Sequence, residues 1–326
     1  MWGGSSMGYK LAGYKVIGNV EIDPRVMKVY KTNNHPDHSF LMDIRDFLKL
    51  EDLPEQLFNL DILDGSPPCS VFSMSGDREK GWNTEKVFRE GQKKQRLDDL
   101  FFYFIDVAER LKPKVVVAEN VAGLLRGNAK GYVNKILHRF DEVGYDVQIF
   151  LLNSATMGVP QKRERCFFIA RRKDLELPKL TLSFNEKPIM FGEVRTDHGK
   201  PIDPVRAHDT KEMLRYYRPG DHDIAEIKER VKGKGTNYNT KINEDNRIAF
   251  TLVSGSTYVR ACDKTWMSDG DIVNVQTFPQ DYDFCGQTPI YICGMSVPPV
   301  MMANITGEIY NQWLKSCTRA EDSRKP

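Results

Sequence analysis

Leu60 to Ser73 reads LDILDGSPPCSVFS. Leu60, Ile62 and Leu63 give a short apolar strand. Asp64-Gly65-Ser66-Pro67-Pro68 are turn formers, so the strand ends in a stiff bend that presents Cys69. Working outward, the pattern repeats. Val16 to Val20 reads as a strand ending at Glu21, and Val115 to Ala118 runs straight into Glu119-Asn120. Val147 to Leu152 and Cys166 to Ala170 are further strands. Between them lie helical patterns. In Asp98 to Leu111, residues Leu100, Phe101, Phe104, Ile105, Ala108 and Leu111 form one apolar stripe, and Val133 to Val143 carries another. Strands alternating with amphipathic helices predict an α/β, doubly wound, Rossmann-like parallel sheet over residues 1–175. Residues 176–285 are richer in Pro, Gly and charge and weaker in periodicity, which predicts a smaller, loop-rich domain. Residues 286–326 return to a helical pattern and are expected to rejoin the first domain. No internal repeat is visible.

The chain has 326 residues, about two domains at ~150 residues each. Hydrophobic residues make up 40% and charged residues 28%, which excludes fibrous and wholly disordered classes. The net charge of +2 neither demands nor excludes a polyanionic partner, so any nucleic-acid face must come from local clustering. The six cysteines make no Cys-x-x-Cys pair and no zinc pattern, so no metal is expected. No signal peptide or run of ~20 apolar residues is evident, and a cytoplasmic protein is expected.

Four segments could carry chemistry. Ligands of doubly wound sheets sit at the carboxyl ends of strands, where a thiol at Cys69 is a candidate nucleophile; a buried Cys closing a strand is the plainer alternative. Glu119 and Asn120 follow a strand, where a carboxylate and an amide can grip a heterocycle, or cap the next helix. Gln161, Arg163 and Arg165 share one face of an extended segment, which suits a base edge or phosphate, or a solvated edge strand. Trp2 to Tyr14, WGGSSMGYKLAGY, is a small-residue loop entering a helix, followed by the Glu21 strand end; this is half of a nucleotide-binding unit.

Taken together, these residues resemble the DNA cytosine-5 methyltransferase family of bacterial and phage type. The resemblance includes the Gly-rich loop Gly3-Gly4-Ser5-Ser6-Met7-Gly8, the acids Glu21 and Asp43, Pro68-Cys69 and Glu119-Asn120-Val121. It continues through Gln161-x-Arg163-x-Arg165, VQTFPQDY (Val275 to Tyr282) and GMSVPPVMMANI (Gly294 to Ile305). It implies catalytic roles for Cys69, Glu119, Arg163 and Arg165. S-adenosylmethionine would be held by Gly3, Gly4, Glu21, Ile22, Asp43, Ile44, Pro68, Ser296 and Val297. A flipped cytosine would be met by Pro67, Ser70, Asn120 and Gln161. Implied partners are double-stranded DNA and a cognate restriction endonuclease, with the enzyme a monomer. The basic segment Gly76 to Arg96 would close over DNA phosphates. Residues 180–265, with basic residues at Lys228, Arg230, Lys232, Lys234 and Lys241, would choose the target sequence. Two departures stand out. The family begins with a strand that feeds the Gly-rich loop, and here the sequence starts inside that loop, so a gap at the centre of the sheet is expected unless Trp2 and its neighbours fill it. Met295 stands where the family has Asn. The alternatives are an impaired member that only binds DNA, or an RNA cytosine-5 methyltransferase.

Overall fold

The structure is a computed structural model and describes residues 2–68, 99–126, 129–233 and 240–317. Cys69, Ser70, the basic segment Gly76 to Arg96 and Lys234 lie outside the described residues.

Among the described residues, six strands build the larger part: β1 (Gly18–Glu21), β2 (His38–Leu41), β3 (Ile62–Gly65), β4 (Val115–Val121), β5 (Tyr145–Asn153) and β6 (Glu164–Arg172). They form two sheets, not one. β1 and β2 pair in parallel, and a four-stranded sheet runs β3-β4-β6-β5. Of these, only β2 has no counterpart in the sequence reading, because HSFL is short and lacks a β-branched run. The sequence predicts a parallel sheet, yet β6 is antiparallel to both β4 and β5. The reason is the connection: from Asn153 to Glu164 the chain makes only a 3-10 turn, and a parallel return needs a longer crossover, usually through a helix.

Helices cover both faces. Along β4, Val116 and Ala118 pack against α4 (Leu100–Leu111) and α5 (Lys130–Glu142), with Phe101, Phe104, Ile136 and Phe140. Val115 and Val117, on the alternate face, pack with Tyr9 of α1 (Gly4–Leu11) and Met301 and Ile305 of α11 (Pro299–Ile309). This two-residue alternation, buried on both sides, is why the strand reads as a continuous apolar run. On the β1 side, Asp23 caps α2 (Pro24–Asn34) and Asp43 caps α3 (Ile44–Phe47).

The smaller part carries α6 (Phe191–Val194), α7 (His208–Met213), α8 (Ile224–Lys232) and a sheet of β7 (Thr240–Asn243), β8 (Thr257–Arg260) and β9 (Thr265–Trp266). Its core is Ile202, Met213, Leu214, Ile224, Ile227, Ile242 and Val259. α9 (Asp269–Gln276) and α10 (Pro289–Met295) lead back to α11. The stretch Pro289–Cys317 is long and apolar enough to cross a membrane, but 56% of its most apolar window is buried in the fold. Met301, Ile305 and Trp313 are fully buried there, as befits a core helix.

Candidate active site

The carboxyl ends of β3 and β4 lie side by side, in the register Gly65 opposite Ala118. Glu119 and Asn120 therefore emerge beside the turn at Ser66-Pro67-Pro68. The buried Asn120 donates from Nδ2 to the Pro67 carbonyl at 3.1 Å, and its Oδ1 accepts from the Val121 amide at 2.9 Å. Asn120 thus latches the turn that leads to Cys69. Glu119 meets Arg165 across the β4–β6 ladder, with Nε 2.9 Å from Oε1 and both side chains only half-buried. A fixed guanidinium–carboxylate pair at the mouth of a sheet presents both a donor and an acceptor to a planar ring.

Gln161 and Arg163 occupy different surroundings. Gln161 is fully buried; its Nε2 donates to Gln276 Oε1 at 2.7 Å and the Val275 carbonyl, while its Oε1 accepts from the Leu252 amide at 2.8 Å. Arg163, 2% exposed, donates to the carbonyls of Leu252 at 2.8 Å and Gly294 at 3.0 Å. Burial, with Arg165 nearby, pushes its guanidinium down to about 9. These hydrogen bonds tie the entry to β6 to Leu252, to Val275-Gln276 and to Gly294, while the buried Arg163 Nε makes none. Gln276 completes the bracket by donating to the Ser296 carbonyl at 2.8 Å. The sequence reading met Gln276 only within the segment Val275 to Tyr282, and it did not single out Ser154, whose hydroxyl donates to the Gln161 carbonyl at 2.7 Å.

A cavity of about 570 Å³ opens from this end, within the range of small-molecule sites. Glu21, Ile22, Asp43, Ile44, Pro67, Pro68 and Met295 line it. Glu21 Oε1 accepts the amides of Ile22 and Asp23 at 2.9 and 3.0 Å, which folds the carboxylate over the end of β1. Asp43 Oδ1 accepts the Arg45 amide at 2.8 Å. The remaining cofactor candidates converge nearby. Gly3 takes φ +92°, and a Cβ on Gly4 would lie 2.4 Å from the Val297 carbonyl, so only glycine lets α1 start against Ser296-Val297. Two acids at strand ends, flanked by apolar Ile22 and Ile44, suit a nucleoside with a ribose diol and a flat base. Asp64, which the sequence places in a turn, instead lies in β3 on the wall of the same cavity and accepts a hydrogen bond from Tyr9 at 3.3 Å.

A family model for C-5 cytosine-specific DNA methylase matches residues 2–311. The chain belongs to that family. Among curated members, the type II methyltransferase M.NgoPII of Neisseria gonorrhoeae is 35% identical over 175 residues, covering 54% of this chain and 47% of the relative. M.DdeI of Desulfomicrobium norvegicum is 36% identical over 190 residues, 57% of this chain and 42% of the relative. The chain thus spans about half the length of these relatives. Among solved structures, Spodoptera frugiperda DNMT2 superposes with a TM-score of 0.63 at 17% identity, covering 95% of this chain and 97% of that one. S. pombe Dnmt2 methyltransferase gives 0.58 at 14%, covering 95% of each, and both likenesses speak to the fold. C-5 methylases of this family use S-adenosylmethionine, and the acids and apolar walls of the cavity are compatible with it. In the smaller domain, Lys228, Arg230, Lys232 and Lys241 each pair with an acid, Asp209, Asp221, Glu212 and Asp223 respectively, at 2.5–3.1 Å. These pairs offset much of the basic field that the sequence suggests.

Proposed function

We propose that the chain methylates carbon 5 of cytosine in double-stranded DNA. The observation that carries this is the Glu119–Arg165 pair beside the Asn120-latched Pro67-Pro68 turn, opening onto the cavity bordered by Glu21 and Asp43. Carbon 5 of cytosine is a weak nucleophile, because the aromatic ring holds its electrons. Cys69, the next residue after the turn, attacks carbon 6 as thiolate. Glu119 accepts from the exocyclic amine and, acting as the acid, gives its proton to ring N3, so charge need not build on the ring as the Cys69–carbon 6 bond forms. Arg165 donates to the ring oxygen and fixes Glu119. S-adenosylmethionine, where bound, would supply the electrophilic methyl group to carbon 5 and leave as S-adenosylhomocysteine. Loss of the carbon-5 proton to a base then re-forms the double bond and expels the thiolate. The target base must leave the helix to reach these groups. Gly3, Gly4, Glu21, Ile22, Asp43, Ile44, Pro68, Ser296 and Val297 would hold the cofactor, and Ser70 with Pro67 and Asn120 would border the base. Gln161 and Arg163 support this site from below.

Residues 176–285 would read the DNA sequence, and Gly76 to Arg96 would close on the phosphates. A monomer acting beside a cognate endonuclease in the cytoplasm fits the same reading. Bisulfite sequencing of DNA from cells expressing the chain is the direct test. Conversion-resistant cytosines at one sequence context are expected, and their absence alongside methylated transfer RNA would move the substrate to RNA. A duplex carrying 5-fluorocytosine should trap the protein covalently and fail to trap Cys69→Ser.

A further inference from the structure

Two arginines of the smaller domain spend the tips of their guanidinium forks inside the protein. Arg230 gives Nη1 and Nη2 to the Asp221 carboxylate at 2.5 and 2.9 Å. Arg260, almost fully buried, gives Nη1 to Asp271 at 3.4 Å and Nη2 to the Asp197 carbonyl at 3.2 Å. Arg247 is held the other way round. Its Nε lies 2.8 Å from Glu244 Oε2, so the carboxylate grips the inner side of the fork, and 47% of the side chain is exposed. Glu244 is itself fixed, because its Oε1 accepts from the Tyr217 hydroxyl at 2.5 Å and the Gly220 amide at 2.7 Å. Burial pushes its carboxyl up, but those two bonds and the charge of Arg247 outweigh this and hold it below the ordinary 4.5. The brace is therefore charged at neutral pH. At the tip, Nη1 lies 3.4 Å from His222 Nε2, a long contact that is a hydrogen bond only when that nitrogen carries no proton. Gly220, at φ +102°, has no side chain to overhang the fork; a Cβ there would lie 3.9 Å from Nη2.

The backbone of Arg247 is tied to the catalytic end. Its amide closes a turn onto the Glu244 carbonyl at 3.1 Å, and its carbonyl accepts from the Phe191 amide at 2.8 Å. Two residues on, the Ala249 carbonyl accepts from the Lys162 amide at 3.0 Å. The same segment then reaches Leu252, whose amide bonds to Gln161 and whose carbonyl bonds to Arg163. Arg247 thus stands on a segment laced to the strand entry that carries Arg165.

We propose that Arg247 reads one guanine of the target sequence, its braced fork donating to O6 and N7 in the major groove. The proposal rests on the reading of the chain as a DNA methyltransferase and of residues 176–285 as its sequence-reading part, and it names the side chain and the base. Guanine alone sets two acceptors side by side on its major-groove edge; adenine puts an amine donor next to N7, which opposes a guanidinium. A fork fixed at Nε keeps two N–H groups aimed in one plane and loses little rotamer freedom on binding. A phosphate contact needs charge more than geometry, and here Glu244 already offsets the charge.

The test is selection by binding. The full chain is mixed at fixed salt with duplexes randomised on both sides of one cytosine, and the bound duplexes are sequenced. Wild type should enrich guanine at one position by roughly tenfold or more over the other bases. Arg247→Ala and Arg247→Lys should both lose that preference and keep the others, with melting temperatures within about 2 °C of wild type, since the side chain is half-exposed. The lysine variant separates the two kinds of contact. Guanine enrichment that survives Arg247→Lys would make the residue a phosphate contact and overturn the proposal, as would a uniform loss at every position, a wild-type motif without guanine, or no motif at all. Methyl transfer does not enter the readout. A chain that selects the guanine through Arg247 and leaves the cytosine unmethylated would uphold this proposal and sink the enzymatic one.

Discussion

The two sheets of the larger domain use the same strand-helix-strand grammar but hold their functional side chains differently. In β3-β4-β6-β5, β4 is paired on both edges, and Val115 to Ala118 are fully buried. Glu119, Asn120 and Arg165 inherit their positions from that ladder, where Val121 faces Arg165 and Glu119 faces Phe167. In β1-β2, among the described residues, each strand has one partner over four residues, and Glu21 and Asp43 are fixed by contacts to amides one to two residues on. Backbone pairing on both sides supplies rigidity that local caps do not. The base-facing end should therefore respond to mutation in chemistry alone, and the cofactor end in affinity.

The largest effect is expected at Glu119→Gln. The amide keeps the shape but loses the charge that pairs with Arg165, and methyl incorporation should fall by about 10³-fold. The melting temperature should move by no more than about 2 °C, since the ladder is backbone-held. A collapse in stability would mean that the pair holds β4 to β6 and would erase the contrast between the sheets.

Arg163→Met should do the opposite. It strips the donors from the buried carbonyls of Leu252 and Gly294, at a cost of about 2–4 kcal/mol in urea unfolding. Residual activity per folded molecule should stay within an order of magnitude of wild type. A variant as stable as the parent would show that water replaces the guanidinium.

Glu21→Gln probes the loosely held sheet. The affinity for S-adenosylmethionine by calorimetric titration should weaken about tenfold, or about 1.4 kcal/mol, with an unchanged melting temperature. Unaltered affinity would move the ribose contact elsewhere along the cavity.

Much of this was legible in the residues. Each apolar run named from the sequence lies at least in part within a strand, because β-branched and aliphatic residues flanked by turn formers leave few other options; Val16 to Val20 became Gly18–Glu21. The motif residues Glu119, Asn120 and Arg165 meet because they sit at strand ends. Direction was not legible: Cys166 to Ala170 looks the same parallel or antiparallel when both faces are buried. Nor was the distinction between Arg163 and Arg165, two residues apart on one face. Which carbonyls lie within reach depends on Leu252 and Gly294, far away in sequence. The ion pairs of Lys228, Arg230, Lys232 and Lys241 were hidden for the same reason: their partners lie 9–20 residues off and meet them only in the folded domain.

The smallest expected effect lies where the two sheets face each other, at Asp64. Burial pushes its carboxyl up to about 7, against the hydrogen bond from Tyr9, which favours the charged form; the Glu119 carboxylate nearby pushes it further up. Ser5 of α1 also faces it. In the unfolded chain Asp64 titrates near its ordinary value of 3.8. Between those two values the native state holds a proton that the unfolded state has released, so stability must fall as pH rises toward 7 and level off above it. Asp64 lies on a cavity wall that water can reach, which reduces the penalty to about 1–2 kcal/mol between pH 5 and pH 8. Asp64→Asn keeps the acceptor for Tyr9 and cannot ionise. Its stability by urea unfolding should match wild type at pH 5 and exceed it at pH 8. Parallel pH curves for the two proteins would show that Asp64 is as well hydrated as a surface acid, and that the gap between the sheets behaves as open solvent.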